Sequence, residues 1–307
     1  MKSRKNFAKT PDIAGRPGCR QLLLAGFCFI ALAGTTQALA APQVAASIKP
    51  LQLIAAAITD GVSEPGLVLG NNQDPHHASL RPSDRKVLAQ ADVVLWVGPM
   101  LELPLVEPIT EMNSKVLAVQ QMNHIILHDV EGNLDPHVWL DTRNARQIAV
   151  DLEQTLQQLD PANSQRYEAN LQNFQAVLAE LDTTINQEFI KLKSQPWTVY
   201  HNAFRYFAKQ YGLTAPLAPT ESANNQAGIR SIIALRDDIA QQKITCMLTE
   251  PDMNHAELDT LLGSANLHIV TADIMGFALT PAADAYPTLM QNFATTLAGC
   301  LQNNPEI

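Results

Sequence analysis

From Tyr167, the apolar residues Leu171, Phe174, Leu178, Leu181, Ile185, Phe189 and Leu192 follow at steps of 4, 3, 4, 3, 4, 4 and 3. Steps of three and four stack side chains on one face of a helix. No Gly or Pro interrupts the run after Pro161. The spacing predicts one amphipathic helix of about thirty residues, roughly 45 Å long. A coiled-coil dimer would bury such a face, and so would packing along the rest of the same chain. The flanking sequence favours the second.

On both sides of this helix, short apolar runs alternate with helical stretches. Before it come strand-like Val44 to Ile48, Leu67 to Leu69, Val93 to Val97 and Val116 to Val119. Between them lie helix-like Leu51 to Ile58 and a helix opened by Arg81-Pro82-Ser83-Asp84. Asp141 can cap a helix through Leu156. After the long helix, Trp197 to Tyr200, Ile244 to Leu248 and Leu267 to Thr271 read as strands. Ile229 to Ile239, Ala256 to Leu262 and Tyr286 to Leu301 read as helices. Such alternation implies mostly parallel sheets. The expectation is an α/β fold of two lobes with parallel-rich sheets, joined by one rigid helix. The expected boundaries are a signal peptide at 1–40, an N-terminal lobe at 41–159, the linking helix at 160–193 and a C-terminal lobe at 194–307.

The first forty residues carry a basic front (Lys2, Arg4, Lys5, Lys9, Arg16, Arg20), an apolar run from Leu22 to Ala33, and the small-x-small pattern Ala38-Leu39-Ala40. That run is too short to span a bilayer and has the form of an export signal, with cleavage expected after Ala40. The remaining chain has 15 basic against 29 acidic residues. It shows no basic stripe, which excludes nucleic acid as a partner. Cys19 and Cys28 fall in the removed segment, and neither makes a credible lipidation site. A free periplasmic monomer without stable membrane insertion is expected. Cys246 and Cys300 remain. In an exported protein two cysteines most simply form one disulfide, two buried thiols being the alternative.

Three histidines stand in local frames: Asp74-Pro75-His76-His77, Asp135-Pro136-His137-Val138-Trp139-Leu140 and Val199-Tyr200-His201-Asn202. A fourth frame, Ile269 to Asp273, adds a carboxylate. The intervals of 61, 64 and 72 residues mean that no single helix or hairpin presents all four. Ligands in open α/β sheets collect beyond the carboxyl ends of strands, and His76, His201 and Asp273 follow strand-like runs. A fold that gathers these four tips in an interlobe cleft makes a metal site of neutral imidazoles and one carboxylate, which suits Zn²⁺. Asp135 and Asn202 are candidates to hydrogen-bond the ligands, Trp139 and Tyr206 to wall the site, and Glu250 is read as structural.

With these frames, the chain resembles the metal-binding component of zinc/manganese ABC importers. The resemblance rests on Leu80-Arg81-Pro82-Ser83-Asp84, Ala91 to Pro99, Asp135 to Leu140, Val199 to Phe204, Thr249-Glu250-Pro251 and Asp273-Ile274-Met275-Gly276. It implies two α/β lobes joined by a long helix, a metal between them, and delivery to a membrane permease and, through it, an ATPase. His76, His137 and His201 would be the imidazole ligands. Asp273 would be the fourth ligand or hold a coordinated water. Histidine at 201 points to the zinc-binding branch, and Cys246 and Cys300 match cysteines that are paired there. The long His-rich loop of many zinc members is reduced here to His124, His128, Asp129 and Glu131. Two rivals are a manganese or iron carrier on the same fold and a zinc hydrolase. The second lacks a His-Glu-x-x-His helix, and no enzymatic activity is expected.

Overall fold

The computed structural model describes residues 40–70, 73–130, 132–220, 228–251 and 267–302. The expected signal segment through Leu39, the helix expected at Ala256 to Leu262, and Glu131 and His255 lie outside the described residues. The chain opens with β1 (Val44–Ala46), α1 (Lys49–Thr59) and β2 (Gly66–Leu67), then α2 (Pro82–Ala89) and β3 (Val93–Trp96). A short α3 (Val106–Thr110) leads to β4 (Lys115–Ala118). These four strands form one parallel sheet in the order β2-β1-β3-β4. Every residue of β1 and β3 is buried, as strands covered on both faces must be. Pro82 opens α2, where its missing N–H costs nothing, and the Asp84 carboxylate accepts the Arg81 amide at 2.8 Å.

Glu102 sits fully buried where the chain leaves β3. Its carboxyl accepts the Ser47 hydroxyl at 2.5 Å and the amides of Val97 and Gly98 at 3.2 and 2.9 Å. It thereby joins the carboxyl ends of β1 and β3. Burial pushes it up to about 7 in spite of those three donors.

A two-stranded hairpin, β5 (Asp129–Val130) and β6 (Asn133–Leu134), precedes the second histidine frame. Gly132 turns it at φ +82, a conformation that favours glycine. Two long helices follow, α4 (Thr142–Leu159) and α5 (Ser164–Glu188). The Asp141 side chain caps α4 by accepting from the Arg143 amide, as expected.

The long helix is real but ends earlier than its apolar spacing suggests. It has 25 residues and buries Tyr167, Phe174, Leu178, Leu181 and Ile185 against α1, α4 and the closing helix α8 (Ala285–Gln302). That packing leaves no free stripe for a coiled-coil partner. Beyond Glu188 the backbone tightens: Ile190 and Leu192 donate to carbonyls three residues back, at Gln187 and Phe189. Residues three apart eclipse in such a turn, so Phe189 and Leu192 stay buried outside the helix. The helix also caps its neighbour. Asn170 donates to the carbonyls of Ile58 and Asp60, and Arg166 to that of Asp60, serving acceptors that the end of α1 leaves open.

After α5 the chain forms β7 (Thr198–Val199), α6 (Arg205–Tyr211), α7 (Ile229–Gln241), β8 (Cys246–Thr249), β9 (His268–Thr271) and α8. The strands make a second parallel sheet, β7-β8-β9. One apolar core runs from the first sheet through α1, α4 and α5 to α8, and a smaller cluster of Ile232, Leu235, Ile239, Ile244 and Met247 lies under α7. Cys246 and Cys300 form a disulfide that ties the start of β8 to the end of α8. No helix among the described residues is long and apolar enough to cross a membrane.

Candidate metal centre

His76 lies in the loop after β2. Asp74 shapes the turn: its Oδ1 accepts the His76 amide at 2.9 Å, and its Oδ2 meets Nδ1 of His77 at 2.7 Å. His77 is thereby held outward, with its side chain 66% exposed. His76 goes the other way, toward His137 and His201.

His137 starts a one-turn helix, Val138–Leu140, immediately before α4. The Asp135 carboxylate accepts both the His137 amide at 3.0 Å and its ring Nδ1 at 2.8 Å. Both side chains are almost wholly buried, at 1% and 2% exposure. The Tyr206 hydroxyl donates to the Asp135 carbonyl at 2.8 Å, and Arg205 lies 3.8 Å from the carboxylate. These contacts keep the Asp135 carboxyl below its usual range although burial works against them, the His137 hydrogen bond being the largest favourable cause. Trp139 packs 5.2 Å from the His137 ring and donates its indole N–H to the Ile274 carbonyl at 3.1 Å.

His201 follows β7, and Glu250 follows the neighbouring β8. Their side chains meet with Nδ1 2.5 Å from Oε1. The other ring nitrogen, Nε2, is buried and has no hydrogen-bond partner among the described residues. A buried nitrogen left unpaired is costly unless something fills its place.

The three rings converge. Their centroids are 5.4 Å apart for His76 and His137, 5.5 Å for His76 and His201, and 4.9 Å for His137 and His201. One nitrogen from each can be chosen so that all lie within 4.8 Å of one another. Imidazoles arranged tetrahedrally about zinc, with Zn–N near 2.0–2.1 Å, place their ring centres about 5 Å apart. The spacing of the ring centres therefore suits a tetrahedral ion. Protonation fits poorly at His76: burial, then the proximity of His137 and His201, push it down to about 3, leaving it neutral. His201 differs. Burial lowers it, but the charge and hydrogen bond of Glu250 outweigh that and leave it raised.

Asp273 is not part of the converging group. Its Oδ1 accepts the amides of Met275 and Gly276 at 3.1 and 2.7 Å, and its Oδ2 that of Ala278 at 3.4 Å. The turn needs Gly276, which sits at φ +73 with Leu53 against the place a Cβ would take. Among the other histidines, His128 packs on Tyr206 and lies 3.3 Å from the Lys209 ammonium. Neither it nor His124 joins the triad. Glu250, read from the sequence as structural, is the residue that hydrogen-bonds the ring of a ligand candidate. The Thr249-Glu250-Pro251 frame at a strand end was the available signal.

Residues 44–300 match the family described as ZnuA, zinc-uptake complex component A, periplasmic. Among curated relatives, the high-affinity zinc uptake system protein ZnuA of Brucella abortus (strain 2308) is 28% identical, over 91% of this chain and 96% of the relative. The protein of the same name from Yersinia pestis is 28% identical, over 86% and 92%. Among solved structures, the periplasmic zinc-binding protein TroA from Treponema pallidum superposes with a TM-score of 0.73 at 21% identity, covering 85% of this chain and 99% of the other. A crystal structure of ZnuA gives 0.72 at 22% identity, covering 83% and 99%. At those identities the superpositions speak for the fold.

Proposed function

The chain belongs to the family of periplasmic zinc-uptake components, and we propose that it carries Zn²⁺ as cargo on His76, His137 and His201. As component A of a zinc-uptake ABC system it is a binding protein of the periplasm, not an enzyme. Such a component works with a permease and its ATPase. The observation that carries the ligand assignment is the convergence of three imidazoles from three separate loops, one with a buried, unpartnered Nε2.

The carboxylate partners favour the Nδ1–H tautomer at His137 and His201, which directs Nε2 of each ring to the metal. His76, held neutral by burial, supplies the third nitrogen. Of the two roles implied for Asp273, we assign it the holding of a coordinated water, because its oxygens already serve the 273–278 turn. We further propose that 41–159 and 194–307 act as lobes about the linking helix at 160–193, and that the exported protein hands over its metal as a monomer. The Cys246–Cys300 disulfide agrees with an oxidising compartment.

Elemental analysis of the purified protein, beside a variant carrying His76→Ala, His137→Ala and His201→Ala, tests the assignment. About one zinc per wild-type chain and none in the folded variant is the expected result for one three-histidine site. Manganese or iron in its place would keep the fold and change the cargo. Equal zinc in both proteins would refute the ligand set.

A further inference from the structure

The two carboxylates behind the histidines are not equivalent. Asp135 lies two residues before His137, inside the same turn, and has Arg205 at 3.8 Å as a cation. Glu250 lies 49 residues from His201, just past the end of the neighbouring strand β8. Among the described residues His201 is the only hydrogen-bond partner of its carboxylate. Pro251 follows it and biases Glu250 toward extended backbone, so the carboxylate is delivered from the end of β8 in a restricted direction. The ring it holds is the one whose buried Nε2 has no partner. His76, by contrast, has no hydrogen bond to either ring nitrogen among the described residues.

We propose that Glu250 is the positioning residue of the zinc site: it fixes the His201 ring and its tautomer, and its negative charge reaches the cation through the imidazole. This rests on the reading of the triad as the cargo site. Asp135 spends part of its charge on Arg205. Among the described residues no Lys or Arg pairs with Glu250. A carboxylate behind a ligating imidazole raises the donor strength of the far nitrogen and holds the ring in place, and loss of such a partner typically weakens metal binding 10–100-fold. The three imidazoles then need no charged fourth ligand to offset a divalent ion, which agrees with an Asp273 engaged in its own turn.

The test uses Glu250→Gln, close in shape but uncharged, with Glu250→Ala as a second variant, each checked for an unchanged circular dichroism spectrum and disulfide. Zinc affinity is measured by chelator competition at pH 8, and the tautomer of His201 by ¹⁵N resonances of the imidazole in metal-free protein. Glu250→Gln should bind zinc roughly 10–100-fold more weakly. Its His201 signals should move away from the pure Nδ1–H pattern, a change that a merely structural carboxylate would not produce. Wild-type affinity within twofold and an unchanged tautomer in Glu250→Gln overturn the proposal, whether or not Glu250→Ala folds. If wild type itself takes up no zinc, the triad reading falls, and this inference with it.

Discussion

The two parallel sheets solve the same problem with unequal means. The first has four strands, two of them buried along their whole length, and a core-facing helix, α1, in which every residue is buried. The second has three strands. Its β7 and β8 are buried along their whole length, but β7 spans only two residues, and β9 is exposed at both ends and half-buried between. With one strand fewer, it is further tied by a disulfide and by α8, whose Phe293 packs on Phe204 and Phe207. The same contrast recurs at the metal. His137 belongs to the first half, and its carboxylate is built into its own turn. His201 belongs to the second, and its carboxylate comes from a neighbouring strand. A half that is held covalently and at a distance is the one where removing single groups should matter most.

Replacing both cysteines, Cys246→Ser with Cys300→Ser, should cost most. Opening a loop of 54 residues removes roughly 4 kcal/mol in the chain-entropy account. Urea unfolding should show the loss, and a change under 1 kcal/mol would contradict a covalently held second sheet. Next, Leu95→Ala in β3 should cost about 3 kcal/mol, whereas Ile269→Ala in β9 should cost about 1 kcal/mol, because Leu95 is wholly buried and Ile269 is not. Equal costs would erase the contrast between the sheets. Zinc at about a hundred times its dissociation constant should add about 2.7 kcal/mol by mass action. Because the ion ties His201 to the other two loops, it should also slow amide exchange around β7 and β8 in the cysteine-free variant. An unchanged melting curve in excess zinc would remove the ion from the comparison.

Two pH effects are smaller. A proton on His201 must leave before metal binds, and Glu250 holds that proton above the ordinary imidazole range. Affinity should therefore fall as pH falls from about 7.5 to about 5, by up to about tenfold per pH unit. His76, depressed to about 3, contributes nothing in that window. Titration calorimetry that gives one affinity throughout would count against the site. In the first half, Glu102 binds its proton more tightly when folded, near 7, than its ordinary 4.5. Its contribution is therefore fully present below about 4.5 and is lost as pH rises to about 7, at no more than about 1.4 kcal/mol per pH unit. Glu102→Gln should flatten that part of the stability profile relative to wild type, and parallel profiles would show that Glu102 does not titrate there.

What the sequence disclosed follows the range of the interactions. His76, His137 and His201 were legible because each sits in a short local frame: an Asp two residues ahead and a proline between for His76 and His137, a strand end just behind for His201. The long helix was legible by periodicity, but not its end, because Phe189 and Leu192 keep a helical spacing while the backbone tightens into shorter turns. The β5–β6 hairpin escaped because strands of two residues carry no period. Glu250 was legible as an acid at a strand end, but its pairing with His201, 49 residues away, was not. Asp273 was found as an acid at a strand end. The competing use of its oxygens was written a few residues on, in the glycine at 276 that lets the turn close on it.

One consequence of drawing the ligands from residues 76, 137 and 201 concerns what the ion does besides being carried. Each interval exceeds sixty residues, so a zinc held on these proposed ligands would act as a removable cross-link across 125 residues of chain, closing two long loops at once. Unlike the disulfide, this fastener is also the freight. When it leaves, the three loops regain freedom, and that entropy favours departure. Loading and stiffening are thus a single event, as are unloading and loosening.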